Sequence, residues 1–207
     1  MEIQEETGGK HADVLDRPGS VLLLSPSLSG DEDAACADLM RPTSPADQNV
    51  LWVSYTKSPD TQLDRFREAA TRQPSNVGIV SVEDSTRSVS ASNTDGGIGG
   101  GPVDTVSSPN DLTGVGISIT EFLQRWTDND HRTVVCFDSL TAMLQYTDIE
   151  TAYEFLHVIV SRIYATDAVA HFHMDPGAHD DQTVAQVCSL MDAVIELDDD
   201  GASVRNR

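Results

Sequence analysis

The chain of 207 residues carries 34 Asp+Glu against 13 Lys+Arg, a formal net charge of −21, and its lysines are Lys10 and Lys57 alone. That balance excludes unaided binding to nucleic-acid phosphates or anionic lipid, which would repel it, and 39% hydrophobic residues exclude a wholly disordered acidic chain. No apolar run approaches the roughly 18 residues of a membrane span and no signal-like segment opens the chain, so one soluble, cytoplasmic domain is expected.

Residues 1–18 are polar and without a sustained period, and read as a mobile acidic tail ahead of a domain over 19–207. VLLLS, Val21–Ser25, is a short apolar strand, and residues 31–40 suit a short helix. Asn49–Tyr55 is the second strand. Ser58-Pro59 supplies a cap and a first-turn proline for a helix running to about Arg72. Val77–Val82 is the third strand. Residues 85–108 are rich in Ser, Gly and Asp and too long for an ordinary connection, so a flexible loop is expected there. Its GGIGGG neither follows a strand directly nor opens a helix, and is not read as a phosphate site.

Order resumes at Ser108-Pro109. Leu112, Val115, Ile119, Phe122 and Trp126 recur at helical spacing. Thr133–Asp138 is an almost continuous apolar strand of the kind buried inside a parallel sheet. Thr147 with Glu150 reads as a capping box for a helix that turns Tyr153, Leu156, Val160 and Ile163 inward. Ala168–Met174 is the fifth strand, a helix follows near Val184–Met191, and Ala193–Leu197 is the sixth strand. Beyond it, the acidic Asp198–Gly201 could open a terminal hairpin. Repeated strand–helix alternation predicts an α/β three-layer sandwich with a mostly parallel sheet.

Cys36, Cys136 and Cys188 are widely separated and form no CxxC, so they read as reduced, mostly buried thiols. His171, His173 and Asp175 alternate along the fifth strand and its end, so their side chains share one face. Two imidazoles and a carboxylate at that spacing could serve a metal, with His157 or His179 adding a ligand. The alternative is that the histidines are hydrogen-bonded inside the core.

The first strand-to-helix turn reads Ser25-Pro-Ser-Leu-Ser-Gly30-Asp31-Glu32, where a phosphate-binding loop reads G-x-x-x-x-G-K-[ST]. The fourth strand ends in Cys136-Phe-Asp138-Ser139-Leu-Thr141. This Asp-Ser-Leu-Thr ending resembles the Walker B segment of RecA-type ATPases, and especially of KaiC-like proteins. The order of elements over residues 19–207 resembles the same superfamily, as a degenerate member. SSPNDLTGVGISI, CFDSLTAMLQYTD and AHFHMDPGAHDDQTV are similar to an uncharacterised family of halophilic archaea labelled RecA-superfamily or sensory-transducer-like. The acidic, lysine-poor composition also resembles that of salt-in halophiles, where concentrated salt screens such charge. The resemblance implies a sheet order 3-2-4-5-1-6 for the six predicted strands.

Departures from the ATPase pattern decide the functional expectation. Aligned on Gly30, Ser25 replaces the first loop glycine, Asp31 the lysine and Glu32 the magnesium hydroxyl. Thr56 and Lys57 stand where KaiC-like proteins carry paired catalytic glutamates, which leaves Asp138 as the surviving catalytic group. A carboxylate ~5 Å from one phosphate charge costs about 3 kcal/mol at an effective dielectric near 20. The vestigial site, Ser25, Gly30, Asp31, Glu32, Asp138 and Ser139, is therefore expected to be non-catalytic and to hold no cofactor. The domain then reads as an interaction or signalling module whose partner is another cytoplasmic protein or a second copy of itself. Two alternatives stay open: a weak nucleotide switch using Asp138 and the backbone of Ser27–Gly30, and a metal-dependent enzyme using His171, His173 and Asp175.

Overall fold

A computed structural model describes residues 19–26, 30–40, 47–62, 64, 74–83, 103–198 and 201–206; the tail 1–18 and most of the loop expected at 85–108 lie outside them. Strands β1 (Gly19–Leu24), β2 (Gln48–Ser54), β3 (Asn76–Val82), β4 (Val103–Val106), β5 (Arg132–Asp138), β6 (Val169–Met174), β7 (Ala193–Asp198) and β8 (Gly201–Asn206) form one sheet. Its order is β4-β3-β2-β5-β6-β1-β7-β8. All pairings are parallel except β7 with β8. The six predicted strands take the expected order, and two more extend the sheet. Residues 103–106, assigned to the loop from composition, pair with β3 as an edge strand, and Gly201–Asn206 completes the hairpin.

The helices are α1 (Gly30–Leu39), α2 (Leu112–Trp126), α3 (Leu140–Met143), α4 (Ile149–Ala165) and α5 (Asp181–Cys188). Helical structure also begins at residue 59, and the remainder of the helix expected to run to Arg72 lies outside the described residues. α4 starts differently from the capping box expected at Thr147 and Glu150. Asp148 is the cap, because its carboxylate lies 2.8 Å from the Thr151 N–H three residues on, and Glu150 sits inside the first turn. Similarly, α5 opens earlier than Val184 because Asp180 caps it through the Thr183 N–H.

β1, β2, β5 and β6 are apolar in sequence and are covered on both faces. On one face, α2 and α4 pack over Leu22, Leu51, Val135, Phe137 and Phe172. Phe137 is the hub there, with ring centroids 5.6 Å from Tyr55, 6.3 Å from Phe155 and 5.7 Å from Phe172. On the other face α1 places Ala35 and Leu39 over Leu23, Trp52, Val134 and Ile195. Trp126 is likewise a core residue, whereas Tyr146 is exposed. Among the described residues, no helix is long and apolar enough to cross a membrane.

Candidate functional site

In an open parallel sheet the ligand crevice lies outside the carboxyl ends of the strands, where connections diverge to opposite faces. Here β1, β2, β5 and β6 bring Ser25, Ser54, Asp138 and Asp175 to that end. Register aligns Ser54 with Asp138 and Leu24 with Met174.

The turn after β2 is tied back on itself. Ser54 Oγ accepts from the Lys57 N–H at 3.0 Å and donates to the Lys57 carbonyl at 2.8 Å, while the Tyr55 N–H donates to the Asp138 carbonyl at 2.7 Å. This places Lys57 Nζ 2.5 Å from Asp138 Oδ2, and Gln62 Nε2 donates to the same oxygen at 3.4 Å. Asp138 is nearly buried, so its carboxylate is compensated by a lysine of its own chain. Thr56, beside it, is exposed.

Of the other residues expected at the nucleotide site, Ser25, Ser139 and Glu32 have local structural partners. Ser25 is buried and its N–H donates to the Met174 carbonyl. Ser139 caps α3 by accepting from the Ala142 N–H. Residues 27–29 and the side chain of Asp31 lie outside the described residues. Glu32, in the first turn of α1, turns toward the sheet, where its Oε1 lies 2.6 Å from His173 Nδ1.

His171 and His173 do share one face, as their spacing on a strand requires, and they meet two cysteines there. Register sets Cys136 on β5 beside His171 on β6, and α1 lowers Cys36 onto both strands. Cys36 Sγ lies 3.8 Å from Cys136 Sγ and 3.3 Å from His171 Nε2, and Cys136 Sγ lies 3.4 Å from His173 Nε2. His171, His173 and Cys136 are buried and Cys36 half-buried. The hydrogen bond to Cys136, with the charges of His173 and His171, outweighs burial and holds the Cys36 thiol well below its usual pKa. Burial chiefly raises that of Cys136. At His173 burial opposes protonation, but the Cys36 thiolate and Glu32 prevail and push its pKa up to about 10.

The other candidates lie apart. Asp175 follows β6 and caps the short turn Pro176–Ala178 by accepting from the Gly177 N–H, while its own N–H donates to Thr141 Oγ1. His179 Nε2 lies 3.2 Å from that same hydroxyl, and His157 is exposed on α4. Strand alternation anticipates the shared face of His171 and His173, whereas no local spacing motif signals that Cys36 and Cys136 meet them there. A cleft of about 430 Å³ opens at the opposite end of the sheet, between Trp126, Asn129, His131, Arg132 and Asp167.

A family model described as "Family of unknown function (DUF7504)" matches residues 18–197. No curated protein matches the sequence. Solved structures share the fold at low identity. An uncharacterized protein from Pyrococcus horikoshii in complex with an unknown peptide is 13% identical, with a TM-score of 0.59 over 91% of this chain and 82% of that one. The flagellar accessory protein FlaH from Methanocaldococcus jannaschii is 12% identical, with a TM-score of 0.50 over 87% and 71%. A prototypical ATPase from the type III secretion system of pathogenic bacteria is 11% identical, with a TM-score of 0.53 over 89% and 52%. The fold is thus that of the RecA-like ATPases.

Proposed function

The chain belongs to this family of unknown function, and we propose that it is a RecA-like domain without ATPase chemistry, acting as a cytoplasmic module that binds another protein chain. The observation that carries this reading is the contact between Lys57 and Asp138. Phosphoryl transfer on this fold needs a free strand-end carboxylate for hydrated Mg²⁺, and cations on the phosphates. Here the carboxylate is neutralised by a lysine held on a tied turn, so a magnesium ion must displace an ammonium before it can bind. Glu32, at the position of the magnesium hydroxyl, faces His173 instead of a phosphate. With a chain charge of −21, these features oppose a triphosphate on both local and long-range grounds.

Loss of the nucleotide leaves the fold's capacity for protein contact, the remaining use consistent with so acidic a surface. A peptide accompanies one structure of this fold, in agreement with that use. The salt-adapted character inferred from composition belongs to the same reading. Isothermal titration of ATP, ADP and GTP in molar KCl with magnesium tests it. No saturable heat is expected. Saturable binding that is lost in Asp138→Asn would establish a nucleotide switch instead, and ATP hydrolysis lost in the same variant would restore an enzyme.

A further inference from the structure

We infer that Cys36, Cys136, His171 and His173 form a closed tetrahedral site for a divalent metal ion of the zinc type, which anchors α1 to β5 and β6. This site is separate from the nucleotide question, and it stands whether or not ATP binds.

Three of the six ligand separations are close to those of a tetrahedral coordination shell. A tetrahedral ion with bonds of about 2.3 Å to sulfur and about 2.05 Å to nitrogen sets its ligands about 3.8 Å apart for two sulfurs and about 3.6 Å for sulfur and nitrogen. The observed separations are 3.8 Å between the sulfurs and 3.3 Å and 3.4 Å for the two sulfur–nitrogen pairs. All four ligand atoms lie within 4.8 Å of one another. Two sulfurs 3.8 Å apart are far from the ~2.05 Å of a disulfide.

The chemistry agrees. Two thiolates and two neutral imidazoles suit a borderline-soft ion, and two thiolates cancel its double charge, so the complex is neutral in a buried place. Glu32 completes the arrangement. With an ion in place of the Nε2 proton, its carboxylate at His173 Nδ1 holds the tautomer whose Nε2 lone pair faces the ion, the role that outer carboxylates play for metal-bound histidines. Glu32 and Cys36 lie four residues apart in α1 and share its inward face. His171 Nδ1 has no hydrogen-bond partner among the described residues, so its tautomer is set by what Nε2 meets. Without an ion, the two sulfurs and the Nε2 atoms of both histidines meet one another through nothing better than weak thiol hydrogen bonds.

All four positions come from protein and none is left open, which makes the ion a fastener and not a catalyst. In a nucleotide-binding RecA-like domain, phosphate holds the amino end of the helix after β1. Here the metal ties down that same helix from beneath, through Cys36. Metal affinity is then folding free energy.

The test uses the full chain expressed with zinc supplied, purified under reducing conditions without chelators. Elemental analysis is expected to give one zinc per chain. After zinc removal, titration with Co²⁺ is expected to give thiolate charge-transfer and tetrahedral d–d absorption saturating at one equivalent, and Zn²⁺ to raise the melting temperature. Cys36→Ser, on the half-buried ligand, should abolish the cobalt spectrum while retaining the far-UV circular dichroism of the fold. Glu32→Gln should weaken zinc about 10–100-fold, and Cys188→Ser should change nothing. Zinc near zero together with no cobalt spectrum in the reduced protein overturns the site. So does a cobalt spectrum that persists unchanged in Cys36→Ser.

Discussion

The ammonium of Lys57 stands 2.5 Å from Oδ2 of Asp138, across the carboxyl ends of two neighbouring strands. One of the chain's two lysines thus neutralises the carboxylate at the carboxyl end of β5. The Lys57 side chain is 26% exposed and that of Asp138 8%, so the pair is intermediate between a surface bridge and a buried one. Truncating one partner of a fully buried pair costs about 3–5 kcal/mol. Water reaching the Lys57 side lowers the expected loss for Lys57→Ala to about 2 kcal/mol in denaturant unfolding. Adding Asp138→Asn should return most of that loss, because the stranded charge is gone. A single-variant cost below about 0.5 kcal/mol would mean that the contact is not maintained in solution.

Two helix caps resist protonation more than ordinary carboxylates do. The Thr151 N–H lowers the Asp148 pKa below its ordinary 3.8, and the Thr183 N–H does the same for Asp180. Because the folded values are depressed, these caps contribute fully above the ordinary value, and the contribution is lost as pH falls through the folded ones. Carboxyl carbon NMR titration should place both midpoints below 3.8. Asp148→Asn keeps an acceptor for the Thr151 N–H and should remove this acid-sensitive part of the cap at α4. Midpoints at or above the ordinary value would refute the capping geometry.

At Gly78 the side chains of α2 pack directly against the backbone of β3. A Cβ there would come 2.5 Å from Phe122 Cε1 and 3.0 Å from Trp126 Cη2. Both rings are buried, so they have little room to withdraw. Gly78→Ala should destabilise by about 1–3 kcal/mol through overpacking. Combining it with Phe122→Leu should cost less than the sum of the single changes, as expected for residues in contact. Strict additivity in denaturant melts would disprove the steric cause.

At the opposite end of the sheet Asn49 is fully buried and joins three segments. Its Nδ2 donates to Asn129 Oδ1 and Thr133 Oγ1, each at 3.0 Å, and its Oδ1 accepts from Asn76 Nδ2 at 2.8 Å. Asn49→Ala leaves those groups without their partner and should cost about 2–3 kcal/mol. Faster hydrogen exchange confined to the amino ends of β2, β3 and β5 would accompany it. An unchanged exchange pattern would show that water replaces the amide at no cost.

Much of the fold was legible because burial is written locally. β1, β2, β5 and β6 are apolar runs between polar breaks, and parallel strands covered on both faces need that composition. The stripe from Leu112 to Trp126 specifies α2 equally well. The errors fell where a local signal was weak or shared. Val103–Val106 looks like loop, being short and preceded by glycines, and becomes a strand because β3 offers an unpaired edge. Thr147 and Asp148 both suit a cap, and one residue of phase decides between them.

At the candidate site, residue identities alone show acids, Asp31 and Glu32, after Gly30, and Thr56-Lys57 after β2. Residue identity at a known spacing suffices for that. Which groups these residues meet emerges in three dimensions. Lys57 meets Asp138 because register brings two strand ends level, and Cys36 meets Cys136, His171 and His173 because a helix, crossing the sheet, lies over two strands distant in sequence. Charge and periodicity are properties of neighbours along the chain. Ion pairing and coordination depend on separations of a few ångströms in space, and for residues this far apart the packing of α1 on the sheet creates those separations.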